Sequence, residues 1–279
     1  MTTATEDILE TSSSVAMDEA AIRRRTVVQG ALSVLGALGF GGIWAYYATF
    51  VFEPFVLPQP WAVVQRMWGL LTEGVVFANF WASLWKTMLG WFMALVVGLP
   101  IGLLMGRYRY AKAFFHDLVY LAANVPLIVY AVLMLIVFGI SSIGPAFVVM
   151  LLVLPAVALN VAAGVESADR GLLAMSRSFR RSSRQVATNV IVPSVIPFLF
   201  AGGRVSFADS WKLEALTETF GGLIGVGFQL EKSFQTFSVV DLLAWMFFFV
   251  IFVIVIERLV LVRLERRIFA WRNPAGKDS

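Results

Sequence analysis

The chain of 279 residues is 59% hydrophobic and only 14% charged, with a mean hydropathy of +0.81, where an ordinary soluble domain is roughly one quarter charged. Such a surface could not be kept wet, which excludes a soluble globular fold and indicates an all-α polytopic membrane protein. The net charge of +4 needs no nucleic acid to explain it, because Lys and Arg of membrane proteins sort to cytoplasmic loops.

Residues 1–26 are polar and end in Arg23, Arg24 and Arg25, as expected of a cytoplasmic tail. The apolar stretch 27–50 is too long for a signal-peptide core, and Trp44, Tyr46 and Tyr47 stand where a cleavage site would need small residues; it reads as an uncleaved first span. The outer segment 51–80 holds three prolines, then Trp61, Val64, Met67, Trp68 and Leu71 at helical spacing, the pattern of a short helix lying in the membrane interface.

Residues 81–262 read as a membrane core of five further spans. The second span, Trp81 to Met105, carries Gly90, Gly98, Pro100 and Gly102, small residues that let helices approach closely. The third, Phe114 to Phe138, contains Pro126, and the fourth, Gly144 to Val165, contains Pro155; GISSIGP joins them in a tight outer turn. After a charged segment at 170–189, a fifth stretch begins near Val190 and turns polar at ADSWKLEALTETFGG. The sixth runs from Val239 to Val262, ahead of a basic tail at 263–279. Six spans put both termini on one side. The arginines and lysines concentrate before the first span, after the second, at 170–184 and in the tail, which makes that side cytoplasmic.

Within 170–189, a helical wheel gathers Leu172, Met175, Phe179 and Val186 in one stripe and sets Arg177, Arg180, Arg181 and Arg184 opposite. A helix on anionic lipid, plain positive-inside charge, and a helix docked in a groove of a partner all fit that pattern. Asp209, Lys212, Glu214 and Glu218 fall in or at the end of the fifth stretch, where an ionised side chain costs at least about 2.5 kcal/mol unless paired or wet. They mark either a water-filled path, with Lys212 attracting an anionic solute and Glu218 orienting it or holding a gate, or the outer interface where the span ends near Asp209. Asp209 and Lys212 are spaced to pair, whereas Glu214 and Glu218 would repel if both were dry.

The chain offers little with which to catalyse a reaction. It has no cysteine and one histidine, His116, which reads as structural. GGLIGVG at 221–227 lacks the Lys-Ser or Lys-Thr of a phosphate loop; it reads instead as a helix break. No other phosphate loop occurs, so any ATP must be hydrolysed by a separate polypeptide, and neither cofactor nor metal is expected here. A secondary transporter or ion channel using the intramembrane acids is the alternative; it predicts inverted repeats, which the sequence does not display.

The segment ahead of Pro193 fits a known frame. The permease subunits of binding-protein-dependent ABC importers carry E-A-A, three residues, G, nine residues and I-x-L-P before the fifth span. Here Ala174-Met175-Ser176, three residues, Arg180, nine residues and Val190-Ile191-Val192-Pro193 occupy that frame without a gap. LPQPWAVVQRMWGLL, ASLWKTMLGWFMALVVGLPIGLLMGR, NVPLIVYAVLMLIVFGI and AGGRVSFADSWKLEALTETFGGLIGVGFQL resemble the branch that imports sulfonates, taurine, nitrate and similar solutes.

The resemblance implies the type I ABC importer permease fold in a bacterial inner membrane, with alternating access as its mechanism. It implies a coupling helix at 170–189, contacted through Leu172, Ala174, Met175, Ser176, Arg177, Phe179, Arg180, Arg181 and Arg184. The partners it implies are two ATP-binding subunits, a second permease copy or a related permease, an extracytoplasmic solute-binding protein and membrane lipid. Among the candidate path residues Lys212, Glu214 and Glu218, it favours Lys212 and Glu218. This chain departs from the pattern at Ala174, where the family has an acid, and at Arg180, where it has glycine. Arginine does not adopt positive φ cheaply, so the turn at 180 is expected to be reshaped or to continue as helix.

Overall fold

The computed structural model describes residues 28–32, 35–36, 38–141 and 143–257; the tail 1–26, parts of the first expected span, residues 258–262 of the sixth and the basic tail 263–279 lie outside them. Every regular element among the described residues is helical. The chain forms two compact units, residues 1–64 and 65–279. In the first, α1 is helical at 28–32, 35–36 and 38–50, and the Trp44 indole donates to the Pro58 carbonyl at 3.0 Å, tying the proline-bearing turn to the helix. The interfacial helix expected after the prolines is α2, Pro60–Thr72. Trp61, Val64 and Trp68 are exposed along it, as a face turned to lipid requires.

The second unit is organised around two long helices, α3 (Val75–Arg107) and α6 (Gly144–Glu166). Gly90, Ala94, Gly98, Gly102 and Gly106 recur every fourth residue on α3, and Val149, Val153, Val157, Val161 and Val165 do the same on α6. The two rows interlock. A Cβ on Gly98 would lie 3.0 Å from Val157 Cγ1, one on Gly102 2.6 Å from Val161 Cβ, and one on Gly106 2.5 Å from Val165 Cβ. The valines and Ala94 form one buried cluster with Val195. Because both rows advance together, α3 and α6 run in the same direction.

The third span expected from Phe114 to Phe138 is not one continuous helix. The chain makes α4 (Arg109–Asn124) and α5 (Leu127–Phe138), which meet at 93°. The break is local chemistry: Pro126 cannot donate into a helix and pushes Val125 out of the helical region, and both residues are extended, with ψ of 127° and 137°. The groups freed by the break find partners, Tyr130 Oη donating to the Ala122 carbonyl at 3.0 Å and Asn124 Nδ2 to that of Tyr120 at 2.7 Å. Since α3 and α6 are parallel, this bent pair must return the chain to its starting side, so it serves as one crossing.

Beyond α6 come α7 (Arg170–Ser178) and α8 (Ser183–Val186), then a π-helical turn, Ala187–Ile191, leading into α9 (Val192–Gly221). Pro193 lacks the N–H that the α-helical ladder needs, and the wide turn absorbs the defect just before it. A fifth span ending near Asp209 is also not what forms: α9 continues unbroken to Gly221. The helix break falls at 222–225 as expected, followed by α10 (Val226–Gln235) and α11 (Val239–Ile256). Among the described residues, four helices or helix continuations are long and apolar enough to cross a membrane, and five if the bent pair is one span.

Candidate functional site

Two sets of residues stand out, one at each end of α9. At its C-terminal end, α9 turns Glu214 and Glu218 inward onto α3, which presents Asn79, Ser83 and Lys86 at successive turns of one face. All five are buried, with at most 3% of their surface exposed. Lys86 Nζ pairs with Glu218 Oε1 and lies 3.8 Å from Glu214 Oε1; it also donates to the Ile224 carbonyl. Ser83 Oγ donates to the Glu218 carboxylate at 2.9 Å and accepts from the Val226 N–H at 2.9 Å. The Gly227 N–H donates to Glu218 Oε2 at 2.8 Å. Asn79 Oδ1 accepts from the Gly225 N–H at 3.0 Å and from Gln229 Nε2 at 3.3 Å.

Glu218 is thus surrounded by donors, while neither oxygen of Glu214 accepts a hydrogen bond. The two acids are dry and close, and Lys86 reaches toward both. Behind them an aromatic cluster fastens α11: Phe80 lies 4.3 Å from Phe252, and Trp211 4.9 Å from Phe252, between ring centroids.

Lys212 does not join this cluster. It sits on the opposite face of α9 with 65% of its side chain exposed, 3.1 Å from Asp209. With Val205 and Leu216 the pair forms a stripe that this chain leaves uncovered.

Ahead of the N-terminal end of α9, the expected single helix over 170–189 is broken in two. Asp169 caps α7, its Oδ1 accepting from the Gly171 and Leu172 N–H groups at 2.6 and 3.2 Å. The helix then ends at Arg180, which takes a left-handed φ of 49°, and the Arg181 N–H reaches back to the Ser176 carbonyl at 3.0 Å, a Schellman closure. Ser182 opens α8 with a capping box, exchanging hydrogen bonds with Gln185. Arg180 therefore adopts the positive φ that glycine would take without cost, and it neither reshapes the turn nor continues the helix. Leu172, Met175 and Phe179 remain together and are 49%, 56% and 65% exposed; Val186, assigned to the same stripe from the sequence, lies beyond the turn on α8. Ala174, Arg181 and Arg184 are exposed, Ser176 less so, while the side chain of Arg177 lies outside what is described.

This segment shares its end of the bundle with the start of α4. Lys112 Nζ bonds Glu166 Oε1 at 2.6 Å, so Arg107, Arg109, Lys112 and the arginines at 170–184 gather there.

The family described as binding-protein-dependent transport system inner membrane component matches residues 98–269, which include the α7–α8 segment and the buried cluster's Glu214, Glu218 and glycine loop. The chain belongs to that family. Among its relatives, the taurine transport system permease protein TauC of Escherichia coli (strain K12) is 28% identical over 90% of this chain and 91% of that one. A probable ABC transporter permease protein of Brucella abortus (strain 2308) is 26% identical over 86% and 94%. Relatives named for taurine, aliphatic sulfonate and bicarbonate transport are among the matches. The crystal structure of an amino acid ABC transporter with histidines superposes with a TM-score of 0.60 at 18% identity, covering 71% of this chain and 96% of that one, a likeness of fold.

Within this permease, sequence reasoning found Glu214 and Glu218 but gave Lys86 no role. Asn79 and Ser83 were missed. The signal was present as Asn79, Ser83, Lys86 and Thr87, polar residues at one helical face of an otherwise apolar span.

Proposed function

We propose that this chain is the transmembrane subunit of an ATP-driven importer in a bacterial inner membrane, moving a small anionic solute handed over by an extracytoplasmic binding protein. The observation that carries this reading is the α7 segment: a capped helix at the basic end of the bundle, whose Leu172, Met175 and Phe179 are left exposed among the described residues. An apolar stripe in that position suits the helix-in-groove mode, and a separate ATPase subunit is the partner that the family match supports. The exposed Arg180, Arg181 and Arg184 would meet acids at the rim of that groove or lipid headgroups.

Two ATPase subunits and a second permease complete the assembly. ATP-bound closure brings two α7 segments together and opens the path outward; hydrolysis resets it. The Asp209–Lys212 stripe supports a place for α9 along the path at the dimer axis, because an uncovered ion pair within a spanning helix is costly in lipid and tolerable against water or a second copy. In this reading Lys212 faces the path, with Glu214 and Glu218 standing behind it. An anionic solute is supported by Lys212 and by relatives named for aliphatic sulfonates and bicarbonate.

The test is purification with the partner ATPase and reconstitution, followed by ATPase stimulation with sulfonates, nitrate and bicarbonate supplied with the binding protein. Stimulation by one of these anions is expected. Uptake that ignores ATP and follows a proton gradient would instead indicate a secondary transporter.

A further inference from the structure

The glycine-rich loop between α9 and α10 resembles a gate by composition, and its surroundings say otherwise. Its three successive amides at 225–227 each donate to a buried side chain: Asn79, Ser83 and Glu218. Lys86 closes the loop from the other side through the Ile224 carbonyl and the Glu218 carboxylate. No slack remains for the backbone. A Cβ on Gly225 would fall on the Glu218 carboxylate and one on Gly227 on the Ala215 carbonyl, while one on Gly222 would lie 2.8 Å from the Glu218 carbonyl.

Gates and lids are drawn from segments with exposed backbone bonds and few buried contacts. This loop has the reverse: opening it would strand an ammonium, a carboxylate and three amides in a region that is 1–3% exposed at Asn79, Ser83, Lys86, Glu218 and Val226, and each buried group left unpaired costs free energy.

We propose that Asn79, Ser83 and Lys86 are positioning residues that clamp this loop to α3 throughout the cycle. The outer half of α3, the end of α9 and α10 then travel as one body, and the opening to the outside forms on the uncovered Asp209–Lys212 face. The inference takes the ATP-driven cycle proposed above as given.

The chain has no cysteine, so a Ser83→Cys, Val226→Cys pair can be oxidised cleanly in the purified chain before it is reconstituted with its ATPase and binding protein. Solute-stimulated ATPase activity is expected to stay within about twofold of the reduced protein; loss on oxidation that is restored by reductant overturns the clamp. Hydrogen exchange on the detergent-purified chain is a second, independent test. Peptides covering 222–229 are expected to exchange slowly and to speed up about tenfold or more in Ser83→Ala, whereas fast exchange in the unmodified chain overturns the clamp. Absence of solute-stimulated ATPase activity in the complex of the unsubstituted chain would defeat the function proposed above, and the exchange measurement would still decide the clamp.

Discussion

Arg180 is the residue where chain and family part company most visibly. A left-handed conformation costs a residue with a Cβ about 1–2 kcal/mol, and the Schellman closure from Arg181 to Ser176 requires it. Arg180→Gly is therefore expected to stabilise the α7–α8 turn by about 1 kcal/mol, read as slower hydrogen exchange across 176–186, without loss of ATPase retention. The buried acids make an opposed pair of predictions. Glu214 accepts no hydrogen bond and faces another carboxylate, so Glu214→Gln removes repulsion and is expected to leave the melting temperature unchanged or higher. Lys86→Met leaves two buried carboxylates without a cation and is expected to cost about 3–5 kcal/mol, seen as a lowered melting temperature or lost yield in detergent. The sequence made the acids legible because charge stands out in hydrocarbon. Their partner was not legible, because a lysine near a span end has a ready topological explanation.

At the scale of elements, the four-residue rows of α3 and α6 were half visible. Gly90, Gly98 and Gly102 announced a close approach, but the sequence could not say which helix fills it; the matching valine row becomes meaningful only once the two helices are seen side by side. Gly102→Leu would drive a side chain into Val161 and the Ala158 carbonyl. Overpacking of this kind costs about 1–3 kcal/mol and can cost more, so aggregation or a lowered melting temperature is expected, while Gly36→Leu, at a site open on all sides, serves as the tolerated control. The α4–α5 break was readable at Pro126 and was passed over because hydropathy sums straight across a two-residue interruption. The coupling segment shows the converse error: a helical wheel assumes continuity, and it cannot register a turn closed by an arginine in a glycine conformation.

For the whole molecule, the decisive arrangement is that α3 and α6 point the same way and finish beside one another. That gathers the basic residues at 107–112 and 170–184 at one end, which supports a cytoplasmic assignment for that end. Reporter fusions at the two termini are expected to behave alike, both active only as cytoplasmic reporters; opposite behaviour would require an odd number of crossings. Met175→Ala with Phe179→Ala is expected to release the ATPase during purification while leaving the chain folded, because both side chains are uncovered by their own protein. Class and family frame were legible from composition and spacing. Solute and dimer partner are properties of surfaces that one chain does not carry alone.

The valine and small-residue rows also constrain how force can pass. Knobs seated every fourth residue resist slippage by one or two positions, since any such shift would drive a valine against a backbone ridge. α3 and α6 are therefore bound to pivot together like a pair of splinted rods, α3 alone being about 50 Å long. A small swing imposed beside Lys112 and Glu166 would reappear, enlarged and without delay, where Asn79 and Ser83 hold the far loop.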